Sequence, residues 1–192
     1  MITPTRAWRT SLRAKLLSNM KVDTIYFFTA TINQWKWALN HVGCKNILLD
    51  SFSHLAKKKA VKIFAFVIMP NHIHLIWKPL ENETVKNLQL SFMKFTAQQI
   101  KFWLLENNPN LLDELLVNKK DRTYQIWKRN PLAVELYTPS VIEQKLQYLH
   151  NNPCQGKWML SNDPISYPFS SASFYESGND PFGFLSHYGE EI

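Results

Sequence analysis

Two histidines separated by one residue, His72 and His74, are the first residues whose types and spacing could do chemistry. They follow a Met-Pro-Asn sequence at 69–71, which predicts a turn because proline fixes φ and has no N–H to give to a sheet. Residues two apart in a strand point to the same face, so both imidazoles are predicted to project together, with Ile73 on the opposite face. Such a pair could chelate a divalent cation through ring nitrogens. Two partly exposed histidines without a ligand would show the same pattern.

A second group of polar residues recurs at four-residue steps on a helix predicted from about Ser140 to Asn152. Gln144, Tyr148 and Asn152 share one face of that helix, because residues four apart are neighbours on a helix surface. Ser140 is the predicted N-cap, and Pro153 disfavours a longer helix. Taken alone, Tyr148 could be a half-buried packing residue and Asn152 a C-terminal cap.

The two groups together point to a reaction at phosphorus. His72, His74 and the amide oxygen of Asn152 make a three-ligand site with open coordination positions, which a catalytic metal needs in order to bind a phosphate oxygen. Tyr148 would lie beside that metal, one turn from Asn152. A free phenol is a weak nucleophile at neutral pH. A nearby dication favours the phenolate and polarises a phosphodiester.

The order of the predicted elements indicates how these residues are positioned. The elements are a strand at 25–32, a helix at about 46–58, strands at 61–68 and 72–78, a helix at about 84–106, a strand-like region at 124–136 and the helix at 140–152. This order predicts an α+β fold, ferredoxin-like or RRM-like, with an antiparallel sheet, helices on one face and a further C-terminal helix carrying the tyrosine. The open face of such a sheet is a common nucleic-acid platform.

Composition and charge favour a folded chain with a polyanionic partner. The chain has 192 residues, 45% of them hydrophobic and 14% aromatic, which excludes a disordered protein and allows one domain with appendages. The formal net charge is +7, and residues 1–103 carry 15 Lys and Arg against 4 Asp and Glu. This basic portion suggests nucleic acid as the partner, although a basic surface that only aids solubility would have the same composition.

Cysteine usage and hydropathy predict a cytoplasmic protein. Cys44 and Cys154 are far apart and show no metal-type spacing, so free thiols in a reducing compartment are expected. No apolar run approaches the length of a membrane span, and the N-terminus has no signal-peptide core.

Four segments carry a resemblance to a known family. They are residues 69–76 (MPNHIHLI), 135–140 (ELYTPS), 148–153 (YLHNNP) and 167–172 (YPFSSA). In this order and spacing they strongly resemble the REP-associated tyrosine transposases, which belong to the HUH superfamily of single-tyrosine transposases and carry the signature His, hydrophobic residue, His. The resemblance covers residues 23–175. The chain departs from the pattern at 154–158 (CQGKW), where an aliphatic, a basic and a small residue usually precede glycine, and at 130–132 (NPL), which lacks a histidine.

The resemblance implies a role for each candidate residue. His72 and His74 match the metal-binding histidines, Asn152 matches the third ligand and Tyr148 matches the catalytic tyrosine. Members of the family cut single-stranded DNA next to hairpins, leaving a 5′-phosphotyrosine and a free 3′-hydroxyl. The covalent link retains the bond energy, so a 3′-hydroxyl can reverse the step and join strands. Mg²⁺ or Mn²⁺ is the usual metal, and histidine-containing sites bind manganese more tightly.

The resemblance also implies the partner and the process. Single-stranded DNA with a REP-like hairpin is the expected partner, DNA transposition and recombination the expected process, and a nucleoid-associated monomer or homodimer the expected state. A domesticated protein that binds hairpins without cutting is the main alternative, but binding alone would not need the four polar residues together. A metal-dependent hydrolase of small phosphodiesters is a further alternative, but it would not need Tyr148 and leaves the basic portion unexplained.

The expected domain organisation has three parts. Residues 1–22 form a basic arm, residues 23–160 the transposase or nuclease domain, and residues 161–192 a C-terminal tail that packs on the domain or extends from it. The candidate phosphate contacts are Lys57, Lys58, Lys94, Lys101, Arg9 and Arg13. Solvated helix faces would show the same charges. His150 is a weaker candidate for contact with DNA.

Overall fold

Four antiparallel strands form the central sheet of the protein, for which the computed structural model describes residues 24–80 and 83–191. In these residues the strands are β1 Ile25–Thr31, β2 Val61–Ile68, β3 His72–Pro79, β4 Leu116–Lys119, β5 Arg122–Tyr124 and β6 Leu132–Leu136. The α-helices are α1 Val42–Lys57, α2 Val85–Asn107, α3 Pro109–Asp113, α4 Pro139–Asn151 and α5 Ala172–Ser177. The basic arm predicted at 1–22, with Arg9 and Arg13, lies outside the described residues.

The strand order in the central sheet is β2-β3-β1-β6, and each neighbouring pair is antiparallel. Because α1 connects β1 to β2 and α2 leads from β3 toward β6, the arrangement is that of a ferredoxin-like α+β fold. The predicted fold class is confirmed. Between α2 and β6 the chain adds α3 and a two-stranded hairpin of β4 and β5, which the predicted order of elements does not include.

The strand-like region predicted at 124–136 is two strands that belong to different sheets. Tyr124 pairs with Leu116 in the β4–β5 hairpin, whereas β6 begins at Leu132 and pairs with β1. Between them Asn130 has a φ of 58°, and Pro131 has no N–H for a strand ladder. The chain therefore cannot continue through this point as one strand.

Alternation along β1 divides the core into two layers. Phe28 and Ile32 belong to the layer formed with α1 and α2, in which the rings of Phe52 and Phe92 stack 5.5 Å apart. Phe27 belongs to the opposite layer, which is formed with α4. One face of the sheet is thus covered by α1 and α2, as predicted, and α4 covers part of the other face.

Strand β3 lies inside the sheet between β1 and β2, and it carries both candidate histidines. The backbone N–H of Met69 donates to the carbonyl of His72 over 2.8 Å, which closes the predicted turn. Ile73 packs in the α1–α2 layer. His72 and His74 therefore share the face that α4 covers, and His74 is directly opposite Thr29 of β1.

Helix α4 begins at Pro139 with Thr138 as its N-cap, so the predicted cap at Ser140 is wrong. Proline suits the first helical position because its φ is already fixed and its missing N–H has no partner there. The cap consequently falls on the residue before the proline. Ile142 and Leu149 are buried against the sheet, as their spacing predicted.

Helix α1 begins at Val42, before the start predicted at about residue 46. A Cβ atom at Gly43 would lie 2.2 Å from Nε1 of Trp103 on α2. Glycine in the first turn of α1 therefore allows the two helices to approach closely.

The helical spacing of the apolar residues on α2 predicts that Phe95 is buried, but this side chain is 52% exposed. The buried position is Thr96, whose hydroxyl accepts a hydrogen bond from the indole N–H of Trp127 over 3.0 Å. The indole needs a partner when it is buried, and the hydroxyl of Thr96 supplies it at this buried position of α2.

The two cysteines, Cys44 and Cys154, are free thiols, as the sequence predicts. Burial raises the pKa of Cys44 to about 12. Within the described ranges, no helix has the length and apolar character needed to cross a membrane.

The C-terminal segment runs along the edge strand β2. Ser170 forms a bridge with Val67, and the N–H of Ser171 donates to the carbonyl of Phe66 over 3.0 Å. These bonds fix the segment to the sheet, while the boundaries assigned to the three parts of the chain stay predictions.

Glu191 ties the end of this segment to the sheet, and its loss is expected to destabilise the fold. Its carboxylate accepts hydrogen bonds from Lys62 of β2 and Lys78 of β3, and these lower its pKa. We expect Glu191→Gln to reduce the free energy of unfolding by about 1 kcal/mol at pH 7. Because the folded pKa lies below the ordinary value of 4.5, the difference from wild type should disappear as pH falls through the lowered pKa.

The matched control is Glu190→Gln, which removes the same charge from an exposed neighbour. Urea unfolding at pH 7 and at pH 3 measures both variants. Equal losses for the two glutamates at pH 7 would contradict a structural role for Glu191.

Candidate active site

The two histidines of β3 are held through their Nδ1 atoms. Nδ1 of His72 lies 2.8 Å from Oδ1 of Asn71, and Nδ1 of His74 lies 2.8 Å from the hydroxyl oxygen of Thr29. The amide oxygen of Asn71 can only accept, so His72 carries its proton on Nδ1 and has a lone pair on Nε2. Both hydrogen bonds fix the orientation of a ring from the side away from Nε2.

The environment of the pair keeps both rings neutral. Burial and the charge of Lys157 lower the pKa of His72 to about 4. Burial, with smaller contributions from His72 and Lys145, lowers the pKa of His74 to about 3. Both imidazoles are therefore neutral at neutral pH, each with one protonated nitrogen, which is the form that binds a metal.

One buried nitrogen of the pair suits a metal. Nε2 of His74 is buried and has no hydrogen-bond partner among the described residues, although buried polar atoms are normally paired. No group of three or more His, Cys, Asp or Glu side chains that could hold a metal occurs in residues 24–80 and 83–191. Among the described residues, the amide of Asn152 is the candidate for a further ligand beside His72.

Helix α4 brings the tyrosine and the amide to the histidines. The ring centroid of Tyr148 lies 5.3 Å from that of His74, and the side chain is 50% exposed. Phe27 packs edge-on against the Tyr148 ring at 6.1 Å. Asn152, at the end of α4, hydrogen bonds the ring of His72 and favours its protonated form. The structure thus brings together all four residues that the sequence suggested.

Two lysines lie beside these four residues and were missed in the sequence. Nζ of Lys145 lies 5.7 Å from the centroid of the Tyr148 ring, and Nζ of Lys157 lies 5.0 Å from that of Trp158. Lys145 precedes Tyr148 by three positions, a spacing that places both on one side of a helix and could have indicated the contact. No periodic signal points to Lys157.

Aromatic rings continue from the histidines across the surface. The ring centroids of His72 and His74 are 4.8 Å apart, and that of Trp158 lies 5.7 Å from that of His72. Trp37 follows at 5.9 Å from Trp158. Neither tryptophan was singled out by the sequence, because the contact joins residues that are far apart in the chain.

No protein-family model and no curated protein matches the sequence. A structure of a REP-associated tyrosine transposase bound to a REP hairpin matches 85% of this chain and 86% of its own, with a TM-score of 0.58 and 17% identity. The chain has the fold of a REP-associated tyrosine transposase. A protein from Deinococcus radiodurans R1 assigned as a transposase matches 67% of this chain and 90% of its own, with a TM-score of 0.44 and 12% identity.

In this transposase fold the predicted phosphate contacts lie away from the histidine pair. Lys57 and Lys58 are exposed at the end of α1, and Lys94 and Lys101 lie on α2. Both helices cover the face of the sheet opposite His72 and His74. Contact of these lysines with DNA stays a prediction, and it would involve a second face of the protein.

His150 faces the C-terminal segment and not the candidate site. Its Nε2 lies 2.8 Å from the hydroxyl oxygen of Ser171, and its ring lies 5.4 Å from that of Tyr175. Burial lowers its pKa to about 4. These contacts assign it a packing role in the transposase fold. Gln144, one turn before Tyr148, is exposed.

Proposed function

We propose that this protein is a metal-dependent endonuclease and strand transferase that cuts single-stranded DNA next to hairpins through a 5′-phosphotyrosine. The placement of Tyr148 carries the proposal: its half-exposed phenol lies beside the ring of His74, whose buried Nε2 lacks a partner among the described residues. The transposase fold supports the same assignment.

The donor set around the pair suits Mg²⁺ or Mn²⁺. His72 and His74 would hold the cation through Nε2, and Asn152 would add its amide oxygen. A cation bound there would polarise a phosphodiester and favour the phenolate of Tyr148. Neutral histidine ligands and an oxygen donor favour manganese of the two in affinity.

The reaction of Tyr148 is an exchange of one phosphodiester for another. Its phenolic oxygen loses a proton and forms a bond to phosphorus, and the bond from phosphorus to the 3′-oxygen breaks. The departing oxygen gains a proton and becomes a free 3′-hydroxyl, while the 5′-phosphate stays on the tyrosine. Attack of a 3′-hydroxyl on this linkage reverses the step, so strands are joined without a nucleotide cofactor.

The surroundings of Tyr148 suit attack on a large substrate. Half of the side chain is exposed, so a DNA strand can reach the phenol from solvent. Phe27 and His74 restrict the ring by their edge contacts. Lys145, close to the same ring, supplies a positive charge where a phosphate would be held.

The proposed partner is single-stranded DNA that forms a REP-like hairpin, and we infer that the protein acts on the nucleoid in the cytoplasm. The neighbouring REP-associated transposase was solved with a REP hairpin bound. The excess of basic residues in the first 103 positions supports a nucleic-acid partner. We propose a monomer or a homodimer as the active species.

Trapping of the covalent intermediate tests the proposal. The protein is incubated with Mn²⁺ and a pool of hairpin oligonucleotides whose single-stranded flanks are randomised, labelled at either the 5′ or the 3′ end. A 5′-phosphotyrosine predicts an adduct that survives denaturation, carries only the 3′ label and is lost with chelator. Absence of any adduct, or an adduct that carries the 5′ label, would refute this chemistry.

The same assay distinguishes the proposed enzyme from the alternative, a domesticated protein that binds hairpins without cutting them. That protein would bind the oligonucleotides with a strong salt dependence, would be indifferent to chelator and would form no adduct. The partnerless Nε2 of His74 favours the enzyme, since hairpin binding has no need for it.

Asn71 is expected to act as a positioning residue for the metal site. Its Oδ1 accepts from His72, while its Nδ2 donates to the carbonyl of Trp35 over 3.1 Å. We expect Asn71→Ala to weaken Mn²⁺ binding by about 10- to 100-fold, because the ring of His72 loses the acceptor that fixes it. Isothermal titration with Mn²⁺ measures the change. Asn71→Asp keeps an acceptor and should retain most of the affinity, and equal losses in both variants would contradict this role.

A further inference from the structure

Two tryptophans, the exposed Trp37 and the half-buried Trp158, form an aromatic surface beside the histidine pair. Trp37 is 54% exposed, and its ring lies 5.9 Å from that of Trp158. Trp158 in turn lies 5.7 Å from His72. Exposed aromatic side chains that adjoin one another mark binding surfaces more often than isolated ones do.

The loop that carries Trp37 is anchored, so its exposure is a fixed feature. Ala38 and Leu39 directly after it are fully buried, and the N–H of Leu39 donates to the carbonyl of Pro70 over 2.9 Å. Just before it, the carbonyl of Trp35 accepts from Asn71. Both anchors lie on the turn that precedes His72, which places the tryptophan loop and the histidine in one rigid unit.

The backbone before Trp37 is held in a costly conformation. Gln34 and Trp35 have φ values of 54° and 59°, which are uncommon for residues other than glycine. Consecutive strained residues are retained where the surrounding structure fixes them, and they occur preferentially at ligand-binding positions.

The backbone that carries the second ring is also fixed by hydrogen bonds, and a cation lies beside this ring. The N–H of Trp158 donates to the carbonyl of Gln155, and the N–H of Leu160 donates to that of Pro153. Nζ of Lys157 lies 5.0 Å from the centroid of the Trp158 ring. Its charge also reaches His72, where it lowers the pKa of the imidazole.

We infer that Trp37 and Trp158 stack with an unpaired base of the DNA strand held at the histidine pair, while Lys157 contacts its backbone. The inference rests on the proposed single-stranded DNA substrate and adds a base-binding subsite beside the phosphate that Tyr148 attacks. Aromatic faces next to cations are the combination that binds single strands, because every unpaired base offers a face for stacking. Bases of a duplex are already stacked on one another and do not fit such a surface.

A merely structural role for the pair is distinguishable from this subsite. If the two rings only shield His72 from solvent, their replacement would alter stability or metal affinity. It would not change the difference in affinity between DNA with bases and DNA without them. Base stacking instead predicts that the bases of the strand contribute to affinity through Trp37 and Trp158.

The test compares two strands of equal charge. Fluorescence anisotropy measures binding of a 12-nucleotide oligothymidylate and of a 12-residue abasic strand, in chelator and in a Tyr148→Phe background, so that cleavage plays no part. The protein with both tryptophans should prefer the strand with bases by roughly 5- to 150-fold per stacked base. Replacing both, as Trp37→Leu with Trp158→Leu, should remove most of this preference and leave binding of the abasic strand unchanged.

Three controls complete the design. Phe95→Leu removes an exposed aromatic ring from α2, on the other face of the sheet, and should retain the preference. Lys157→Gln should weaken the binding of both strands by a similar factor. Thermal unfolding of each variant checks that the fold is intact.

The inference would be overturned if the double tryptophan variant still preferred the strand with bases. It would also be overturned if this variant bound both strands more weakly by the same factor. A third contradicting result would be that the protein with both tryptophans binds the two strands with equal affinity or binds neither. Its failure is separable from failure of the proposed function. If the adduct forms but the protein shows no preference for bases, only the proposed subsite is refuted. If the preference is present but no adduct forms, only the proposed chemistry is refuted.

Discussion

Replacing Tyr148 with phenylalanine should abolish the covalent adduct with hairpin DNA, a loss of about a thousandfold or more. The variant lacks the phenolic oxygen that forms the bond to phosphorus, and removal of a nucleophile normally eliminates the covalent step. The ring itself and its contacts with Phe27 and His74 would remain. Because half of the side chain is exposed, the free energy of unfolding should change by less than about 0.5 kcal/mol. Denaturing gels of labelled DNA measure the adduct, and urea unfolding measures the stability.

Tyr137→Phe is the matched control. Tyr137 is 78% exposed and lies directly before the cap of α4, so it is another accessible phenol on the same segment. This variant should form the adduct at the rate of the unaltered protein. An undiminished adduct in Tyr148→Phe, or its loss in Tyr137→Phe, would refute the assignment of the nucleophile.

Replacing either histidine of β3 should weaken Mn²⁺ binding by about 100-fold or more. His72→Gln and His74→Gln each remove one of the two nitrogen ligands, while Asn71 and Thr29 stay in place but have no ring to orient. A site with few protein ligands depends strongly on each of them. Electron paramagnetic resonance of free and bound Mn²⁺ measures the affinity directly and does not require DNA or activity.

His150→Gln is the control for this pair. It is also a buried histidine, and it lies on α4 between Tyr148 and Asn152 in sequence, but it contacts Ser171 and Tyr175 instead of the site. Its replacement should leave Mn²⁺ affinity within about twofold of the unaltered protein, since no metal ligand is removed. If His150→Gln lost the metal and His74→Gln kept it, the proposed ligand set would be wrong.

The parts of the site that follow a local period could be predicted from the sequence. The two-residue repeat of a strand placed His72 and His74 on one face, and the four-residue repeat of a helix linked Tyr148 to Asn152. The same kind of reasoning found the elements of the central sheet, its covering helices and the turn before β3, but not α3 or the hairpin of β4 and β5. These predictions succeed because the geometry depends only on neighbours in the chain.

The residues that surround the site depend on contacts between distant segments. Thr29 meets His74 only through the register of β1 with β3, and Trp37 meets Trp158 only after α4 and the following loop dock on the sheet. No repeat in the sequence encodes these distances. On α2, Thr96 is buried while its neighbour Phe95 is exposed. This too depends on a distant residue, because the hydroxyl of Thr96 accepts from the indole of Trp127.

The position of β3 between two partner strands has a consequence for how a ligand would bind. Backbone hydrogen bonds on both edges of this strand can be broken only by opening the sheet, which makes its centre among the last parts of a domain to unfold. The spacing of the two imidazoles is therefore set when the chain folds, before any ion arrives. Amide hydrogen exchange along β3 should accordingly be slow and insensitive to Mn²⁺, and a cation would bind without having to order the strand that receives it.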